Sequence, residues 1–142
     1  MYDYSFNEFQ EDVSQLVEDI TSYNPDIILA VARGGVSLGH FMANRMNIRA
    51  LFTLNSIHYD DTKKLDTIEV FNIPELGKEK RVLVVDDIVD SGESMVEIMK
   101  ILKEKFPENR FKTAVIFTKK EAIFTPDFKC HEAKEWIKFF WD

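Results

Sequence analysis

Along the first twenty positions, Phe6, Phe9, Val13, Leu16, Val17 and Ile20 recur at helical spacing and predict an amphipathic helix. Ser5, with Glu8 three residues on, makes a capping box at its start, and Asn24-Pro25 stops it. From Asp26 to Ala32 the pattern changes to a short continuous apolar run, the kind found in buried parallel strands. Gly34 and Gly35 follow, Val36 to Met46 reads as a second helix, and Leu51 to Leu54 reads as a second strand. Residues 57–68 are polar and charged, with no apolar period. A loop of that length inside a compact domain is functional or mobile. Glu69 to Ile73 reads as a short edge strand, ended by Pro74 and Gly77. Val82 to Val85 is the clearest strand of the chain. Met95, Ile98, Met99 and Leu102 share one face of a helix from Ser94 to Phe106, which Pro107 ends. Thr113 to Phe117 and Phe128 to Ala133 complete the strands.

Strands that alternate with helices predict a three-layer α/β fold, with a mainly parallel, five-stranded sheet flanked by helices. With 142 residues and no linker, repeat or low-complexity tract, residues 1–142 are expected to form a single domain. In such sheets ligands sit at the carboxyl ends of the strands. The richest chemistry of the chain lies at one such end.

Composition narrows the chemistry. Hydrophobic residues make up 45% of the chain, enough for a packed interior. A net charge of −7 argues against a nucleic-acid partner held by phosphate contacts. An anionic substrate would need local cations, backbone N–H groups or a bound metal. The single cysteine, Cys130, rules out an internal disulfide and fits a reducing compartment. With no membrane-length apolar run and no secretory signal at its start, the chain is expected in the cytoplasm, with no membrane span.

The strand Val82–Val85 runs into Asp86-Asp87-Ile88-Val89-Asp90-Ser91-Gly92-Glu93-Ser94. Three carboxylates within five residues repel one another unless a cation or hydroxyl donors hold them. Asp86-Asp87 alone reads equally well as a solvated acidic turn that caps the next helix. The continuation Ser91-Gly92-Glu93-Ser94 adds a flexible turn, two hydroxyls and the outward N–H groups of a helix start, which suit a phosphate. Acids for ribose hydroxyls and a metal, beside N–H groups for a phosphate, are what a sugar phosphate activated at C1 requires.

Ala32-Arg33-Gly34-Gly35 also joins an apolar strand to a helix. By itself it reads as a glycine-rich connection with a surface arginine, although an arginine can fork onto phosphate oxygens. Lys119 stands at the tip of the Thr113–Phe117 strand, where an ordinary solvated lysine is the plain alternative. The tail from Glu135 to Asp142 is dense in aromatics, as a core cover or a self-association surface would be. His40 reads as a packing or surface residue. His58 and His131 lack ligand spacing with Cys130, which rejects a zinc site. Without a G-x-S-x-G elbow, a serine hydrolase is rejected too.

Together, the acidic stretch, the Arg33-Gly34 turn and Lys119 resemble the type I phosphoribosyltransferases, enzymes that use phosphoribosyl pyrophosphate (PRPP). The tail, with Trp136, Ile137, Trp141 and Asp142, is similar to the Trp-Ile-x-x-x-Trp-Asp segment of the bacterial xanthine-guanine branch. The resemblance implies a small hood built from the chain's ends, and transfer of phosphoribose to a 6-oxopurine: guanine, xanthine or hypoxanthine. It implies that Asp86 and Asp87 lie near the ribose hydroxyls and Mg2+, and that Asp90 is the general acid/base at N7. Ile88 and Val89 fall in the same PRPP-binding stretch. Ser91, Gly92, Glu93 and Ser94 match the 5′-phosphate cradle, and Arg33 and Gly34 match the pyrophosphate loop. Lys119 would donate to the 6-oxo group, Trp136 stack on the base, and the Ile137 carbonyl read its 2-substituent. Asp142 would serve a second metal. Residues 57–68 match the loop that closes over the reaction. Ser56 and Tyr59 loosely match its Ser-Tyr pair, and Lys63 or Lys64 would offer charge to pyrophosphate. The family usually forms dimers or tetramers. Two departures stand out: serine replaces threonine at Ser91 and Ser94, and Glu93 puts an acid in the phosphate loop, which weakens binding unless it points away. A PRPP- or nucleotide-binding regulator without catalysis, or a transferase for a pyrimidine, are the competing expectations.

Overall fold

The computed structural model describes residues 1–59 and 67–142. In chain order the elements are β1 (Tyr2–Tyr4), α1 (Phe6–Ile20), β2 (Ile27–Ala32), α2 (Val36–Met46), β3 (Leu51–Tyr59), β4 (Thr67–Phe71), β5 (Arg81–Val89), α3 (Glu93–Lys105), β6 (Arg110–Thr118), β7 (Phe128–Glu132) and β8 (Ile137–Phe139). The capping box forms as expected. Ser5 Oγ accepts from the Glu8 N–H at 3.2 Å, and the Glu8 carboxylate accepts from the Ser5 N–H at 2.8 Å.

The main sheet has the order β4-β3-β2-β5-β6-β7. Five strands are parallel, and β4 joins the β3 edge antiparallel. The sheet is mainly parallel as expected but has six strands rather than five, and the edge strand read at Glu69–Ile73 is the antiparallel one, β4. Its pairing accounts for a difference from the sequence reading: residues 57–59 and 67–68, expected in a loop, belong to the two arms of this antiparallel pair, with Tyr59 opposite Thr67. Their polar residues give no apolar period because this edge is largely exposed. Lys63 and Lys64 lie outside the described residues.

Alternation along the central strands sorts the core into two faces. Ile28, Ala30, Leu83 and Val85 face α1 and α2, together with Phe9, Leu16, Leu38 and Met42. Ile27, Leu29, Val31, Val82 and Val84 face α3, packing on Met95, Ile98, Met99 and Leu102. This is the expected three-layer arrangement, in which both faces of the sheet are covered.

The chain leaves β2 toward β3 on one side and returns to β5 on the other. The switch point therefore falls between the neighbours β2 and β5, and a crevice at their carboxyl ends is the site such sheets offer. A second, two-stranded parallel sheet pairs β1 with β8, with Tyr4 opposite Phe139. It joins the two ends of the chain into the hood.

Candidate functional site

The Arg33-Gly34-Gly35 turn and the Asp86-Asp87 pair meet at the β2–β5 switch point. Contact is so close that a methyl on Gly34 would overlap the Asp87 carboxylate. One on Gly35 would lie 2.5 Å from the Val85 carbonyl and 2.9 Å from Asp86 Cα. The Ala32–Arg33 peptide is cis. Arg33 is exposed.

Asp86 and Asp87 are half-buried. Backbone N–H groups hold them: Asp87 N–H donates to Asp86 Oδ1 at 2.8 Å, and Ile88 N–H donates to Asp87 Oδ1 at 2.7 Å. Burial pushes the Asp86 carboxyl well above the usual carboxylate range, and the neighbouring charge of Asp87 adds to this. Asp87 is also raised, chiefly by burial, and the negative charge of Asp142 contributes. Asp142 is the tail residue expected near the metal. Its Oδ2 accepts from the Phe139 N–H at 3.1 Å, closing the turn that ends the hood.

A cavity of about 370 Å3 opens beside these acids, lined by Asp86, Asp87, Asp90, Ser91 and Ser94 and, from β3, by His58. Gly92 makes the turn into α3 with φ of 91°, a conformation that favours glycine, and a side chain there would meet the Phe124 N–H. Ser91 Oγ accepts from the Glu93 N–H at 3.3 Å. The Glu93 carboxylate turns toward His58, 3.4 Å from its Nε2. The acid inside the phosphate loop therefore carries its charge to the β3 arm.

At the next strand end, Lys119 Nζ lies 2.6 Å from Asp90 Oδ1, and this bond and charge hold the lysine above its usual pKa. The backbone repeats the link: Lys119 N–H donates to the Val89 carbonyl at 3.0 Å. The residues expected to serve the base edge are thus paired side by side. Trp136 and Ile137 lie on the hood instead. Trp136 is 74% exposed. Its carbonyl accepts from the Tyr2 N–H at 2.8 Å, so by the alternation of a parallel ladder the Ile137 carbonyl is directed away from β1. Ile137 lines a different hollow, of about 480 Å3, with Tyr2, Phe117 and His131. Ser56 Oγ is buried without a hydrogen-bond partner among the described residues, and the Tyr59 hydroxyl reaches Glu69 at 3.2 Å.

Two features escaped the sequence reading. His58 reaches the phosphate side of the cavity from a strand with no apolar period, and nothing local signals this. Asp12 is buried on the core side of α1, where Tyr4 and His131 reach its carboxylate. Its place within the Phe9, Val13, Leu16 stripe is a signal that could have been read.

Among the described residues, no helix is long and apolar enough to cross a membrane. Residues 6–142 match the phosphoribosyl transferase domain family. The xanthine-guanine phosphoribosyltransferase of Idiomarina loihiensis is 32% identical over 118 residues, covering 81% of this chain and 70% of that protein. The orotate phosphoribosyltransferase of Caldanaerobacter subterraneus is 33% identical over 89 residues, covering 63% of this chain and 43% of that protein. Among solved structures, the xanthine-guanine-hypoxanthine phosphoribosyltransferase of Helicobacter pylori aligns with a TM-score of 0.92 at 35% identity, over 99% of this chain and 92% of that one. The chain belongs to the phosphoribosyltransferase family.

Proposed function

We propose that the protein transfers the 5-phosphoribosyl group of PRPP to a 6-oxopurine (guanine, xanthine or hypoxanthine) and releases pyrophosphate. The observation that carries this reading is the Lys119–Asp90 pair, an ammonium and a carboxylate 2.6 Å apart at adjoining strand ends. A 6-oxopurine presents O6 and N7 side by side along one edge. Lys119 donates to the first, and Asp90 exchanges a proton with the second. Orotate and uracil have no ring nitrogen in the place of N7.

In this mechanism N9 forms a bond to C1 of the ribose as the C1–oxygen bond to pyrophosphate breaks. The proton on N7 passes to Asp90, a positioned base of the kind that contributes about 10²–10⁴ in rate. Asp86, Asp87 and Asp90 offset the positive charge that develops on the sugar, while Arg33 takes up charge on the departing pyrophosphate. N–H groups at the start of α3, with Ser91 and Ser94, hold the 5′-phosphate, and the outward turn of Glu93 removes one obstacle to this. Trp136 stacks on the base, and the Ile137 carbonyl meets its 2-substituent.

The donor set fits Mg2+. Asp86 and Asp87 are carboxylates that burial pushes toward the neutral form, and a cation would relieve that. Mg2+ is commonly held by one or two carboxylates and keeps waters and substrate oxygens in the rest of its shell. Asp86 and Asp87 are the residues that would hold it, and Asp142 would serve a second ion. When bound, it neutralises charge on the pyrophosphate. A dimer or tetramer working in the cytoplasm completes the reading, and light scattering tests the assembly.

The test is turnover with PRPP and guanine, xanthine, hypoxanthine, orotate or uracil in parallel, with and without Mg2+. Nucleotide should form from at least one purine, only with Mg2+, and from neither pyrimidine. Absence of turnover with all three purines overturns the proposal. PRPP binding without turnover would mark a regulatory module instead.

A further inference from the structure

Asp12 has no part in the mechanism above, yet three elements meet on its carboxylate. It is 9% exposed, in the apolar stripe of α1. The Tyr4 hydroxyl donates to Oδ2 at 2.5 Å. His131 Nε2, from β7, lies 3.0 Å from Oδ1 and 2.9 Å from Oδ2. Replacing such a buried polar cluster by well-packed apolar residues is often neutral or stabilising. Stability alone therefore does not require an acid at this position.

Tyr4 is where the cluster reaches the hood. It ends β1, stands opposite Phe139 in the β1–β8 ladder, and its ring is the hub of an aromatic cluster. Ring centroids lie 5.3 Å away for Phe117, 5.6 Å for Phe139 and 6.4 Å for Trp141. The hood segment held this way carries Trp136 and Ile137 at one end. At the other, Asp142 folds back onto the Phe139 N–H at 3.1 Å.

We propose that Asp12 is a positioning residue for the base side of the site: by fixing the Tyr4 hydroxyl while His131 ties the same carboxylate to β7, it sets where segment 136–142 stands relative to Lys119 and Asp90. This rests on the assignment of Trp136 and Ile137 to the base. A hood released from its anchor loses contacts that hold the base alike in the ground and transition states, so KM for the base should rise with kcat changed less.

The experiment uses Tyr4→Phe, which keeps the ring and removes only the hydroxyl, and Asp12→Asn, each in the full chain. Both should raise KM for the purine about tenfold, leave KM for PRPP within about twofold and change kcat less than the purine KM. The double variant should be no worse than the more impaired single one, because Asp12→Asn weakens the link that Tyr4→Phe removes. Three results overturn the proposal: an unchanged purine KM in both variants, equal rises for purine and PRPP, or effects that simply add. Trp136→Ala, measured alongside, separates the two ways of failing. If it leaves the purine KM unchanged, the hood is not the base wall, and the inference falls with that assignment. If it raises the purine KM while Tyr4→Phe and Asp12→Asn do not, the base wall stands and the positioning role is wrong.

Discussion

Asp90 and Lys119 divide the work of recognising one edge of a base, so removing each should leave a different kinetic signature. Asp90→Ala deletes the proton acceptor while the Asp86-Asp87 pair and the phosphate turn remain. Turnover should fall by about 10²–10⁴-fold, with a far smaller loss of PRPP affinity. An equal loss of both would refute the acid/base role. Lys119→Met should act mainly on KM for the purine, because it removes a donor to the ground-state oxo group. At Gly34 the limit is space: a methyl there would overlap the Asp87 carboxylate. Gly34→Ala should weaken PRPP binding at least tenfold, with overpacking costing about 1–3 kcal/mol of stability; calorimetric titration and thermal melts check both. Cys130 carries the pH prediction. Burial, chiefly, and the charge of Asp12 push its thiol up from 9.0 to about 12. At pH 8 its thiolate fraction is then roughly a thousandfold below that of a free cysteine. Iodoacetamide should label it correspondingly slowly in the native protein and readily in urea. The sign follows from linkage. The folded value is raised, so the stability this thiol contributes is fully present below its unfolded pKa and is lost as pH rises through about 12. A native labelling rate equal to that in urea would contradict it.

At the level of elements, legibility follows how local the determining interactions are. The first helix declared itself through its apolar stripe and capping box, and α3 through its spacing and Pro107, because those signals lie within a few residues of one another. The acidic strand end was equally legible, since an apolar run, three carboxylates and a Ser-Gly turn are consecutive. Strands β1 and β8 were not. Three residues give no period, and each strand exists only because the opposite end of the chain pairs with it. The same holds for the outer part of β3, whose polar residues become a strand by pairing with β4. His58 enters the site on that extension, and so the phosphate side gained a residue that no local pattern announces. Gly92 tests how far the turn into α3 governs the site. Its φ of 91° and its approach to Phe124 both exclude a side chain. Gly92→Ala should therefore weaken binding of PRPP and of the product nucleotide together, leaving the ratio of their Kd values nearly unchanged because the 5′-phosphate grip is shared. A loss confined to the purine would place this turn on the wrong side of the cavity.

For the molecule as a whole, the site sits where the fold is least content without a ligand. The parallel sheet buries β2 and β5 on both faces and delivers two adjacent acids to a half-buried rim, where burial presses both toward the neutral form, helped at Asp86 by the charge of Asp87 and at Asp87 by that of Asp142. Such an arrangement opposes folding at neutral pH unless a cation or a ligand shares the charge. A stability–function exchange should follow. Asp86→Asn and Asp87→Asn, isosteric and neutral, should each melt a few degrees above the parent in the absence of ligand and Mg2+. With PRPP and Mg2+ at about a hundred times Kd, the parent should gain about 2.7 kcal/mol by mass action. The two variants should gain much less, so that the order of melting temperatures reverses. Differential scanning fluorimetry, with and without Mg2+ and PRPP, reads both halves of the prediction. Should the variants melt below the parent without ligand, the Asp pair would be a net support of the fold, held by its backbone N–H bonds, and its repulsion would be outweighed. Should they gain as much from PRPP and Mg2+ as the parent does, the pair would not be the ligand's grip, and the site would have to be sought elsewhere along the strand ends.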